Sequence, residues 1–96
     1  MSPKNKIKLN KLRKKLDKLD YSLLKIIKKR TDIVKKVIEL KSFKNEIVDK
    51  KRISIILKKI KNESIKNKID PKITKRIWKN MIWSYIDYEK RNFKKK

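Results

Sequence analysis

A few charged side chains in this sequence have the types and spacing that could do chemistry on a small anion. Arg30 and Lys41 are eleven residues apart, which is three helical turns plus about 20°, so both project from one face of a helix. Arg52 opens a second predicted helix, and Glu89 lies on the inner face of a third. A pocket that gathers these cations suits a small polyanion, because arginine forks bind carboxylates bidentately.

Arg13 could complete such a pocket only from a second chain. It lies seventeen residues before Arg30, roughly 25 Å along a helix, which is too far for both to hold one small molecule. An antiparallel pair of long helices would bring Arg13 of one protomer near Arg30 of the other. If both arginines serve one site, that site contains two chains.

Each of these residues also has a simpler interpretation. An arginine here could be a surface or ion-pair residue, and Glu89 could neutralise a neighbouring lysine. Asp49 is of the type that caps a helix. Tyr85, Trp78 and Trp83 are most simply packing residues of the core or a dimer. Spacing alone names no reaction.

The elements that must position these residues are helices, since the chain has two prolines, no glycine and no alternating strand pattern. We predict helix one over about residues 7–42, helix two over about 49–62 and helix three over about 70–93. Asp49 is the expected cap of helix two, and Asp70 followed by Pro71 is a strong start signal for helix three. The fold class is all-α, and residues 1–96 form a single domain.

Helix one carries apolar residues at alternating steps of three and four, the pattern of a packed seam. These residues are Leu9, Leu12, Leu16, Leu19, Leu23, Ile26, Ile33, Val37 and Leu40. Arg30 occupies a position of this seam, although a buried guanidinium costs several kcal/mol unless it is paired. A chain of 96 residues buries only a small core, so we expect an oligomer.

Composition excludes several classes of site. Without cysteine or histidine the chain can form no disulfide, no Cys/His metal site and no Ser-His or Cys-His catalytic device. The net charge of +23 comes mainly from lysine and accompanies abundant isoleucine and asparagine. This bias is typical of an A/T-rich coding sequence. It therefore favours lysines that merely fill solvated helix faces and frayed, solvated termini over lysines that form a functional polycation. No apolar run approaches the ~20 residues that cross a bilayer, and we expect a soluble, cytoplasmic protein.

The stretch "LRKKLDKLDYSLLKIIKKR", followed by a lysine and then "DKKR", resembles the all-helical (AroQ-type) chorismate mutase family. The resemblance covers Leu12 to Glu89 and implies an intertwined three-helix homodimer with two active sites, each completed by an arginine from the other subunit. It implies conversion of chorismate to prephenate, an intramolecular rearrangement in aromatic amino acid biosynthesis that needs no cofactor and no nucleophile.

The same resemblance implies roles for individual residues. Arg13 matches the arginine lent to the partner's site, and Arg30 matches the one that holds a substrate carboxylate. Lys41 matches the lysine that contacts a carboxylate and the ether oxygen. Arg52 matches the helix-two arginine, and Asp49 looks like the aspartate near the substrate hydroxyl.

Glu89 falls where the family has glutamine or glutamate donating a hydrogen bond to the ether oxygen, so we expect turnover to improve below neutrality.

Three features depart from the family pattern. Ile53 stands where a glutamate is typical, Tyr85 stands where serine is common, and the loop from Lys41 to Arg52 is one residue short. These features are also similar to the isochorismate pyruvate lyases, which split isochorismate into salicylate and pyruvate.

The alternative to an enzyme is a non-catalytic basic helical protein that binds nucleic acid. Such a protein would need cations clustered on one exposed face. In this sequence lysines occur on every predicted exposed face, while the arginines of the resemblance stand at family positions. That distribution favours the enzyme and makes nucleic acid an unexpected partner.

Overall fold

The computed structural model describes residues 1–95. They form α1 (Pro3–Leu40), a short 3-10 helix (Lys44–Glu46), α2 (Lys50–Lys66) and α3 (Pro71–Asn92). No strand occurs in this range. The prediction of an all-α chain with three helices and a long first helix is therefore confirmed.

Local capping sets where each helix begins. The hydroxyl of Ser2 accepts a hydrogen bond from Asn5 N–H at 3.1 Å, and Pro3 takes the first helical position, where its missing N–H is harmless. The carboxylates of Asp49 and Asp70 accept from backbone N–H groups in the first turns of α2 and α3. Because Ser2 caps it, α1 starts several residues before residue 7, the start predicted from the sequence.

The end of α2 is a left-handed cap. Lys68 has φ of 58°, its N–H donates to Ile65 O at 3.2 Å, and Ile69 N–H donates to Ser64 O at 2.8 Å. These two bonds satisfy the last carbonyls of a helix in the manner usually built around glycine, a residue that this sequence lacks. The helix therefore continues to Lys66, beyond the predicted end at about residue 62.

The chain divides into two compact units, of which the first is Met1–Ile33. This unit is a helical segment of α1, and most of its apolar side chains are exposed. Six positions of the predicted seam are 52% to 65% exposed: Leu12, Leu16, Leu19, Leu23, Ile26 and Ile33. We refer to these six residues as the apolar stripe of α1.

The second unit begins at Val34 and contains the last turns of α1 together with α2 and α3. Its buried apolar residues are Ile38, Ile47 and Ile86. Between α2 and α3, the buried hydroxyls of Ser64 and Thr74 share a hydrogen bond of 2.7 Å. Across residues 1–95, no helix combines the length and the apolar character needed to cross a membrane.

Candidate active site

Lys41 and Glu89, two of the predicted catalytic residues, are in contact in the second unit. Lys41 Nζ donates to Glu89 Oε1 at 2.8 Å, although the residues are 48 positions apart. Their side chains are 19% and 9% exposed. An ion pair so shielded interacts more strongly than one on an open surface, and it defines the centre of the candidate site.

The ends of two helices position this pair. α1 stops at Leu40, two residues before the predicted end, and Lys41 N–H donates to Ile38 O at 3.2 Å. Ile38 is buried and holds the last turn of α1 in place. On α3, Ile86 is buried one turn before Glu89, which itself is 7% exposed. Packing of both helix ends therefore brings the lysine to the glutamate.

Beside the pair lies an open hollow of about 590 Å³. Its lining residues are Lys41, Glu46, Val48, Asp49, Lys50 and Lys51. Both acids in the lining already accept hydrogen bonds from the backbone, Glu46 from Phe43 N–H at 3.1 Å and Asp49 from Arg52 N–H at 3.0 Å. The lining also carries the ammonium groups of Lys41, Lys50 and Lys51, which can attract a small anion.

The chemistry available here is hydrogen bonding and electrostatics. Cationic donors fixed in a partly shielded site can stabilise negative charge that develops on a reacting oxygen. Within the described residues, no group of three or more histidine, cysteine or acidic side chains is placed to hold a metal ion.

The remaining predicted site residues are distributed over both units. Arg52 is exposed in the second unit, where Ile53 and Tyr85 are half-buried. Arg13 and Arg30 belong to the first unit and are exposed there. The structure thus brings Lys41 into contact with Glu89 and places Lys41 and Asp49 in the lining of one hollow. The roles of all the predicted site residues stay predictions.

Sequence reasoning missed two features of this region. Lys50 and Lys51 line the hollow, and the signal for them was the run "DKKR" itself, of which only the aspartate and arginine were selected. Lys95 donates to backbone carbonyls at the end of α1. No periodicity or motif in the tail indicates that contact.

Asp49 has two candidate roles that substitution can separate. We expect Asp49→Ala to lower the free energy of unfolding by about 1 kcal/mol, because it removes the cap of α2. Asp49→Asn should keep the cap and the stability, since asparagine caps equally well. Denaturant unfolding of both variants measures the cap. Reduced turnover of Asp49→Asn at unchanged stability would indicate that the negative charge of Asp49 acts on the substrate. Equal losses of stability in Asp49→Ala and Asp49→Asn would contradict the capping role.

Comparison with known families agrees with this geometry. The profile of the chorismate mutase type II family matches residues 12–90, a range that contains every predicted site residue. Searches of curated proteins and of solved structures gave no match. Since the family match covers most of its 96 residues, the chain belongs to the chorismate mutase type II family.

Proposed function

We propose that this protein is a chorismate mutase, an isomerase that rearranges chorismate to prephenate without a cofactor. The observation that carries the proposal is the contact of 2.8 Å between Lys41 Nζ and Glu89 Oε1. In the family both residues reach the ether oxygen of the substrate, so their terminal atoms must converge. A substrate oxygen entering between them would replace this contact with one hydrogen bond from each side chain.

The reaction breaks one C–O bond and forms one C–C bond within a single molecule, so no atom is gained or lost. The protein has to hold the dicarboxylate in its reactive conformer and stabilise the charge on the departing oxygen. We assign the carboxylates to Arg30, to Arg52 and to the partner subunit's Arg13. Lys41 and Glu89 then act on the oxygen of the breaking bond. The product would feed phenylalanine and tyrosine synthesis in the cytoplasm.

A homodimer is part of the proposal. The apolar stripe of α1 is more than half exposed, whereas a helix of a folded protein normally packs such a stripe against a partner. Arg13 and Arg30 lie roughly 25 Å apart on this helix, so only a second chain could bring an Arg13 to the Arg30 site. One interface would therefore cover the stripe and complete the site.

We expect Leu19→Glu to raise the dissociation constant of the dimer by at least about tenfold, since it places a charge in the centre of the stripe. Turnover should fall in parallel at low protein concentration. Sedimentation velocity over a concentration series measures the change. Lys18→Glu, at the neighbouring position outside the stripe, is the matched control and should leave the dimer intact. Equal effects of both variants would contradict an interface on this stripe.

The proposed activity is tested by incubating the purified protein separately with chorismate and isochorismate. Loss of substrate absorbance and chromatographic identification of products give the readout. Prephenate from chorismate is the expected result. Salicylate and pyruvate from isochorismate would instead identify a lyase, the alternative suggested by Ile53 and Tyr85. Turnover of neither substrate would refute both the mutase and the lyase. Salt-sensitive DNA binding in that case would indicate a basic protein that binds nucleic acid.

A further inference from the structure

The tail after α3 contacts the end of α1. α3 ends at Asn92, and Phe93 has an extended backbone with φ of −76° and ψ of 119°. The side chain of Lys95 then reaches the end of α1, where Nζ donates to Glu39 O and, at 2.9 Å, to Lys41 O. The lysine-rich tail was expected to be a frayed, solvated end. This contact shows that Lys95 is anchored on α1.

The contact supplies a hydrogen-bond donor and a positive charge at the end of α1. The last carbonyls of a helix have no partners within the helix, and a cation there also interacts favourably with the helix dipole. Many helices carry a lysine or arginine in their own last turn for this purpose. α1 has no basic residue in its last turn. Lys95, 54 residues further along the chain than Lys41, provides the charge from the tail.

The held carbonyl belongs to the residue at the centre of the candidate site. Residues 41 and 42 have no regular structure, so α1 itself does not fix the direction of the Lys41 side chain. The Lys41 backbone donates to Ile38 O through its N–H and accepts from Lys95 through its carbonyl. Together these two bonds hold the backbone from which the Lys41 side chain reaches Glu89.

We propose that Lys95 is a positioning residue for Lys41. It ties the end of α1 to the tail and so holds Lys41 Nζ at the place where, on the proposed mutase function, the substrate oxygen binds. Lys95 itself does not touch the substrate. Loss of this tie leaves the ammonium of Lys41 present but less well oriented in the transition state.

The test compares Lys95→Met with Lys94→Met, which removes the same charge from the neighbouring residue. Because misplacement of a catalytic group acts on the transition state, kcat for chorismate should fall by about tenfold or more in Lys95→Met. KM should change little, and Lys95→Arg should restore much of kcat because arginine can donate to both carbonyls. Lys94→Met should behave like the unchanged protein. Equal kcat values for Lys95→Met and Lys94→Met would overturn the proposal.

A second readout does not depend on turnover. Hydrogen exchange of the backbone amides of residues 39–43 should be faster in Lys95→Met than in Lys94→Met, because the end of α1 opens more often. Faster exchange with unchanged kcat would overturn the positioning role and leave Lys95 structural. If the unchanged protein converts neither chorismate nor isochorismate, the proposed function fails. In that case, exchange in Lys95→Met that is no faster than in Lys94→Met would additionally refute the contact between Lys95 and the end of α1.

Discussion

Arg30→Ala is expected to lower kcat/KM for chorismate by about a thousandfold or more while the chain stays helical. On the proposed function Arg30 grips a substrate carboxylate through two parallel hydrogen bonds, and alanine leaves that carboxylate without a partner in a shielded site. Each factor of ten corresponds to about 1.4 kcal/mol, so this loss is about 4 kcal/mol of transition-state stabilisation. Circular dichroism and steady-state kinetics measure the two parts of the expectation.

The proposed dimer should survive this substitution and gain stability. Arg30 stands in line with the apolar stripe of α1, so burial of the stripe in that dimer would also carry the guanidinium out of water at a cost. Arg30→Lys keeps the charge without the fork and should recover little activity. Lys29→Ala, at the exposed neighbouring position, is the matched control and should remain active. Dissociation of Arg30→Ala into monomers would instead make Arg30 a structural residue.

The starts of α2 and α3 were predictable because their determinants are local. Asp49 and Asp70 cap α2 and α3 as their side-chain type suggests. The end of α2 was predicted too early, because serine and asparagine are weak helix formers. Ser64 instead stays in the helix, with its hydroxyl donating to Ile60 O at 2.6 Å and bonded to Thr74 across the hairpin. A contact made in the tertiary structure overrode the local preference.

Burial was less predictable than helicity. Ile73 and Ile77 are four residues apart on α3, the spacing of one apolar helix face, yet they are 56% and 52% exposed in the single chain. Periodicity indicates which side chains favour burial, but not whether their own chain or a partner covers them. The residues of the site show the same limit. Resemblance placed Lys41 and Glu89 in one site, whereas their direct ion pair depends on packing between residues 48 positions apart.

The second large effect is a pH dependence of kcat/KM that comes from Glu89 and that Glu89→Gln should remove. We expect kcat/KM for chorismate to be higher at pH 6 than at pH 8 in the unchanged protein. An ionised carboxylate only accepts hydrogen bonds, as Glu89 does from Lys41, and it cannot donate one to the ether oxygen.

Glu89→Gln should vary by less than about threefold over the same range, because an amide N–H₂ donates at every pH. Its activity should exceed that of the unchanged protein at pH 8, because the amide donates without needing a proton from solution. Asp87→Asn is the matched control, since Asp87 lies on the same helix but is exposed and pairs with Arg91. That variant should keep the full pH slope. Parallel profiles for Glu89→Gln and the unchanged protein would exclude Glu89 as the donor and leave Lys41 to stabilise the departing oxygen alone.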